Sequence, residues 1–262
     1  MSGGAPRRID RIRSTVGYYR SVAPHIEREL TERPDRRFWI GLAEEHPDAR
    51  VVEVGCGTGR VTTLLAPRVR RVAAVDLSPD MLRRARRKFP ENGAVDLVRG
   101  DVLHLPLRRR FDLGVAANGV FSHLLRDGER LRALRQIRTC LRPGATILVD
   151  AFWLSRDRRS RCAPPEGDRR SRTLTGETGP LRMAERWLCD PDSARCRVTC
   201  RYRHPDGTTE RAESVLRYWT GAEVRRLFSE AGLELTATWG DYERGGWSRD
   251  SKRLVIRARR PA

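Results

Sequence analysis

The residues best suited to chemistry in this chain lie in one glycine-rich stretch and in the acids that follow it. Val51-Val-Glu-Val-Gly-Cys-Gly-Thr-Gly-Arg60 joins a β-branched run carrying Glu53 to Gly55, Gly57 and Gly59, which alternate with Cys56 and Thr58. The run reads as a strand buried on both faces, the glycines as a tight turn, and the following residues as a helix. Such a junction is where open α/β sheets hold a nucleoside ligand. Glycine lets the backbone approach that ligand with no Cβ in the way. The spacing is G-x-G-x-G, not the G-x-G-x-x-G of a dinucleotide fingerprint, which disfavours a nicotinamide dehydrogenase. A second run, Arg71-Val-Ala-Ala-Val-Asp76, ends in an acid. Asp76 falls about 20 residues after the first glycine, the separation at which a carboxylate can accept hydrogen bonds from ribose hydroxyls. Ser78 or Asp80 suits the cap of the next helix better than Asp76 does.

Three further segments supply the elements that must position these groups. Ala94–Asp101 reads as a third strand, Arg110–Asn118 as a fourth and Leu141–Asp150 as a fifth, with Pro143 stopping a helix and Gly144 supplying the turn. In this order the motifs resemble those of class I S-adenosylmethionine (SAM)-dependent methyltransferases, over roughly residues 50 to 150 plus the C-terminal strands. The resemblance implies SAM as cofactor. It also implies that Glu53, Gly55, Gly57 and Gly59 shape the methionine and ribose site, with Cys56 a small space-filler among them. Asp76 and Leu77 would sit at the ribose. Gly100-Asp101-Val102 would form the adenine-binding turn, Asp101 accepting the adenine amino hydrogen and Val102 packing on the ring. Asn118, after the fourth strand, would complete the cofactor set.

Methyl transfer from SAM is an in-line displacement, so the enzyme chiefly aligns a nucleophile, an effect worth on the order of 7–11 kcal/mol. The acceptor is expected beyond the carboxyl ends of the fourth and fifth strands. Tyr18, Tyr19, Asn118, Phe121, His123, Trp153, Asp241 and Tyr242 are the candidates there. His123 is the candidate general base, because imidazole titrates near neutrality. Tyr19 could cover the methionine end, and Asp241 could hold a cationic amine. No metal site is expected: Cys189, Cys196 and Cys200 lack paired C-x-x-C spacing.

The chain has 262 residues, a formal net charge of +19 and 53 Lys plus Arg, with lysine only at Lys88 and Lys252. Arginine clusters at 83–87, 108–110, 156–161 and 168–172 could track phosphates, or could be solvated faces. A nucleic-acid acceptor is not favoured, because Ala117-Asn-Gly-Val-Phe121 stands where base-amino methyltransferases carry Asn/Asp-Pro-Pro-aromatic. The first ten residues are polar and no apolar run is long enough for a membrane span, so a cytoplasmic protein with free thiols is expected.

Residues 1–8 read as a flexible basic start, 9–23 as a helix broken at Pro24, 25–30 as a second short piece and 35–45 as a further helix. After Asp150 the alternation breaks. Residues 155–172 read as a mobile loop, and pieces near 173–178, 181–188, 194–204 and 209–217 as strands. Thr220-Gly-Ala-Glu223 reads as a capping box, with closing strands at 233–239 and 253–257. The fold class is therefore α/β: a Rossmann-like seven-stranded methyltransferase sheet with N-terminal helices and an inserted small antiparallel β-sheet. The expected division is a helical cap over 1–49, a SAM-binding core over 50–154, an inserted substrate or lid region over 155–217, and closing elements over 218–262. This layout resembles bacterial small-molecule and peptide N-methyltransferases, implying an amine acceptor in specialised metabolism. O-methylation of a phenol, quinone or carboxylate, RNA methylation and a non-catalytic SAM-binding role are the alternatives. Oligomeric state is not legible.

Overall fold

A computed structural model describes residues 8–30, 33–89, 93–108, 110–175 and 179–262. Residues 1–7 of the basic start, 109 of one arginine cluster and 176–178 of one strand piece lie outside the described residues. The elements in chain order are α1 (Arg8–Val22), α2 (Ile26–Glu29), α3 (Arg36–Glu44), β1 (Arg50–Val54), α4 (Arg60–Leu65), β2 (Arg71–Asp76), α5 (Pro79–Arg86), β3 (Val95–Arg99) and β4 (Phe111–Ala116). They continue with α6 (Asp127–Cys140), β5 (Leu141–Ala151), α7 (Arg156–Arg161), β6 (Asp168–Leu174), β7 (Leu181–Asp190), β8 (Arg195–Arg203), β9 (Thr209–Arg217), α8 (Gly221–Glu230), β10 (Glu234–Trp239) and β11 (Leu254–Arg259).

The main sheet has seven strands in the order β10-β11-β5-β4-β1-β2-β3. β1 to β5 run parallel, and β11 is antiparallel to both β5 and β10. Val51, Val52 and Val54 are almost wholly buried, as a central strand covered on both faces requires. Strand order reverses between β1 and β4, which opens a crevice at their carboxyl ends. Ser78 caps α5 by accepting the Met81 N–H, and Thr220 and Glu223 form the reciprocal capping box that starts α8.

The second sheet is β6-β7-β8-β9, antiparallel throughout. β8 shows the alternation of a half-buried strand: Arg195, Arg197, Arg201 and Arg203 face solvent, while Cys196, Val198, Cys200 and Tyr202 face inward. The inward residues pack with Val22 and Ala23 of the N-terminal helices, forming a core separate from the two that flank the main sheet.

Two expectations are corrected. The segment read as a mobile loop over 155–172 contains α7, capped by Ser155, and most of β6, whose pairing begins at Asp168 opposite Trp187. Its polarity misled because β6 is exposed on both faces from Arg169 to Thr173, and pairing to β7 supplies the order. The cysteines are not all free: Cys189 and Cys196 face each other across β7 and β8, with Cα atoms 4.0 Å apart, and are disulfide-bonded. Cys56, Cys140, Cys162 and Cys200 are buried free thiols. The cross-strand register creates that bond, and seven residues of sequence separation do not reveal it.

Candidate functional site

One cavity fills the crevice at the ends of β1 and β4. Its floor consists of the carboxyl ends of the first four parallel strands and the residues just after them: Glu53 to Thr58, Val75 to Leu77, Gly100 to Val102, and Ala117 with Asn118. Its roof comes from α1 and α2 through Arg11, Thr15, Tyr19 and Ile26. His123 and Leu124, at and just beyond the end of a short 3₁₀ turn (Val120–His123), close one side.

The carboxylates of the floor are held by the backbone around them. Asp76 accepts the N–H groups of Gly57 and Ser78, each at 2.8 Å, so the acid fixes the glycine turn from the neighbouring strand. Burial raises its pKa, and those N–H groups partly oppose the rise. Glu53 is buried behind the turn, accepts the Thr62 hydroxyl at 2.6 Å, and is pushed by burial up to about 7. Gly57 takes a φ of +58°, and a Cβ there would meet nothing within 4 Å, so the turn presents open space to a ligand.

Gly59 is a correction. It does not line the cavity; with φ +81° it caps α4, and a Cβ would lie 2.6 Å from the Phe89 ring. Glycine is needed there for packing. The other residues expected at the cofactor, Glu53, Gly55, Cys56, Gly57, Asp76, Leu77, Gly100, Asp101, Val102 and Asn118, all line the cavity. Asp101 is already engaged: one oxygen accepts from the Arg11 guanidinium at 2.7 Å and the other from the Leu103 N–H at 3.0 Å.

The candidate catalytic residues divide. The Tyr19 hydroxyl and His123 Nε2 share a 2.8 Å hydrogen bond facing the cavity. Burial, with the Arg11 charge second, lowers the His123 pKa to about 4, so the ring is neutral at neutral pH. Burial also keeps the Tyr19 phenol protonated. Asp241 is a second correction: it does not line the cavity, and one of its oxygens accepts the N–H groups of Glu243 and Gly245 within its own loop. Tyr18 packs toward the inserted sheet. Phe121 is buried against Trp219, and the Trp153 indole donates to the Ser251 carbonyl. Tyr242 acts behind the wall. It donates to Asp150 at 3.0 Å, and Asp150 in turn accepts the Asn118 N–H at 3.1 Å, holding Asn118 at φ +60°.

The sequence reading missed Arg11, Thr15 and Arg60 in the lining. Arg11, Thr15 and Tyr19 recur at i, i+4 and i+8, one face of a helix, and that polar stripe was the signal. Arg60 is fixed by a two-point ion pair to the fully buried Asp35.

Comparison with known proteins bears on this geometry. Residues 51–144 match the family described as "Methyltransferase domain". Over 219 residues the chain is 27% identical to a cypemycin N-terminal methyltransferase from Streptomyces, covering 83% of this chain and 86% of that one. Among solved structures it is similar to the CcbJ methyltransferase of Streptomyces caelestis, at 25% identity and TM-score 0.74, covering 92% of this chain and 98% of that one. Residues 51–144 are thus a methyltransferase domain, and the chain acts as a SAM-dependent methyltransferase. A SAM-bound amino pentose methyltransferase from Micromonospora echinaspora shares the fold of this methyltransferase, at 20% identity and TM-score 0.69, covering 99% of this chain and all of that one. Its cofactor is SAM. The donor set fits a cationic nucleoside: Glu53, Asp76 and Asp101 face the cavity, while Arg11 and Arg60, its guanidinium groups, are each bound to an acid. Among the described residues, no helix of the methyltransferase is long and apolar enough to cross a membrane.

Proposed function

We propose that this methyltransferase alkylates an amine nitrogen of a small molecule or peptide in bacterial specialised metabolism. The observation that carries the reading is the neutral Tyr19–His123 pair at the cavity wall. SAM supplies a methyl group activated for in-line attack. A phenol or alcohol must lose a proton to become a strong nucleophile, and a histidine titrating at about 4 is a poor acceptor for it. A free-base amine already carries its lone pair and needs only orientation. The pair offers a hydrogen bond without charge, and Arg11 disfavours a protonated amine beside it. His123 is thus an orienting group in this reading. The relatives named for N-terminal and amino pentose methylation support the same class of acceptor.

In the same reading Glu53, Gly55, Cys56 and Gly57 cup the methionine and ribose, Asp76 with Leu77 holds the ribose hydroxyls, Gly100, Asp101 and Val102 receive the adenine, and Asn118 lies toward the methyl end. Residues 1–49 and 155–217 act as cap and lid over the 50–154 core. The test is mass spectrometry of amine, phenol, carboxylate and RNA pools incubated with protein and SAM. Methylated amines are the expected product. Methylation confined to oxygen or to RNA would overturn the proposal.

A further inference from the structure

Two of the five histidines in the chain meet one carboxylate where the N-terminal helices join the inserted sheet. The His25 Nε2 lies 3.1 Å from one Glu210 oxygen, and the His204 Nε2 lies 3.1 Å from the other. The ligand-type atoms of all three residues fall within 4.8 Å of one another. In a chain bearing 53 basic residues, both ion pairs recorded for Glu210 are to histidines.

Each ligand is held by local structure. Pro24 interrupts the first helix, and His25 occupies the resulting turn, its N–H bonded to the Val22 carbonyl. Its ring is buried and lies 4.3 Å from the Tyr202 ring. Tyr202 pairs directly with Glu210, and His204 lies two residues further along the same face, its N–H bonded to the Thr208 carbonyl. Asp206 braces the hairpin tip by accepting both the Thr208 N–H and the Thr208 hydroxyl. Two imidazoles and a carboxylate are a zinc-type donor set, with a fourth position left for water.

We propose that His25, His204 and Glu210 form a divalent transition-metal site of the zinc class, clipping the N-terminal helices to the β8–β9 hairpin. The site is separate from the methyl-transfer chemistry and does not depend on the acceptor. Its effect is mechanical: Arg11, Thr15, Tyr19 and Ile26 reach the cavity from the helices on either side of His25, so a metal there fixes the roof.

The test uses tag-free full-length protein stripped with a chelator and titrated calorimetrically with zinc chloride. One zinc per chain is expected, with affinity falling at least about tenfold in both Glu210→Gln and His204→Ala. Both substitutions lie on an incompletely buried hairpin, so the fold should persist. Cobalt(II) should give a tetrahedral spectrum without thiolate charge transfer, because no cysteine is in the ligand set. No zinc binding, unchanged binding in both variants, or a thiolate spectrum would each overturn the proposal.

Discussion

The floor and the roof of the cavity are built by different means. Floor residues lie at or just beyond the ends of adjacent parallel strands, so backbone geometry alone brings Gly57, Asp76 and Asp101 together. Roof residues come from α1 and α2, which rest on an inserted sheet far away in sequence and depend on side chains to stay there. A floor of strand ends tolerates little local change. A roof held by ion pairs can be loosened one contact at a time.

The floor should give the largest single effect. Asp76→Ala removes the acceptor of two backbone N–H groups and, in the proposed function, of the ribose hydroxyls. With two charge-assisted hydrogen bonds of about 1.5–3 kcal/mol each at stake, S-adenosylhomocysteine should bind at least about a hundredfold more weakly by calorimetry. Unchanged affinity would show that the floor does not hold the ribose through Asp76.

The root of the inserted sheet tests the other side. Arg130, wholly buried, bonds Glu223 at 2.9 Å and the carbonyls of Leu124, Arg217 and Tyr218. Arg130→Met removes one of two ion pairs of the buried Glu223, which stays paired with Arg217 at 3.0 Å, and takes a donor from three carbonyls, so it should cost about 1–3 kcal/mol in a denaturation experiment. The double variant with Glu223→Met should recover part of the loss. A single variant as stable as the parent would mean that the insert is not anchored there.

The same contrast explains what could be read from sequence. The succession of strands along the chain, both sheets and most of the residues that line the cavity floor were legible, because buried runs, glycine spacing and strand-end acids are local signals. Gly59 looked like a cofactor glycine, but its need for φ +81° beside Phe89 is a packing requirement that the motif conceals. Asp241 looked like an acceptor contact, and only the loop's own N–H groups show it to be a turn residue. Arg11, Arg130 and the Cys189–Cys196 bond depend on partners set by tertiary register, which no local pattern encodes.

Glu53 sharpens the comparison through pH. Burial raises its pKa from 4.5 to about 7, so folding favours the protonated acid. Stability tied to Glu53 is full below pH 4.5 and is lost as pH rises through 7, an effect of about 3 kcal/mol. His123 runs the other way: its pKa is lowered from 6.5 to about 4, so its contribution is full above pH 6.5 and is lost as pH falls through 4. Glu53→Gln should remove the first dependence and leave the second. Parallel stability profiles for parent and variant between pH 4 and 8 would show that Glu53 is ionised at no unusual cost.

The smallest effect on binding should come where roof meets floor. Arg11 spans the cavity to Asp101, 90 residues away, and its charge also depresses His123. Arg11→Ala should therefore raise the His123 pKa above about 4, which nuclear magnetic resonance titration would read. Its effect on ligand binding has two opposing parts. Loss of the roof contact weakens the enclosure, while removal of the Arg11 donor lets the donor of the proposed adenine take its place on Asp101. The second should win, because Asp101 is buried and gains a hydrogen-bond donor from the ligand in place of the one it lost. S-adenosylhomocysteine should then bind up to about tenfold more tightly, although the free protein is less stable. Weaker binding would reverse the reading: Arg11 would belong with the groups that hold the cofactor, and the roof would be part of the binding site as well as its cover.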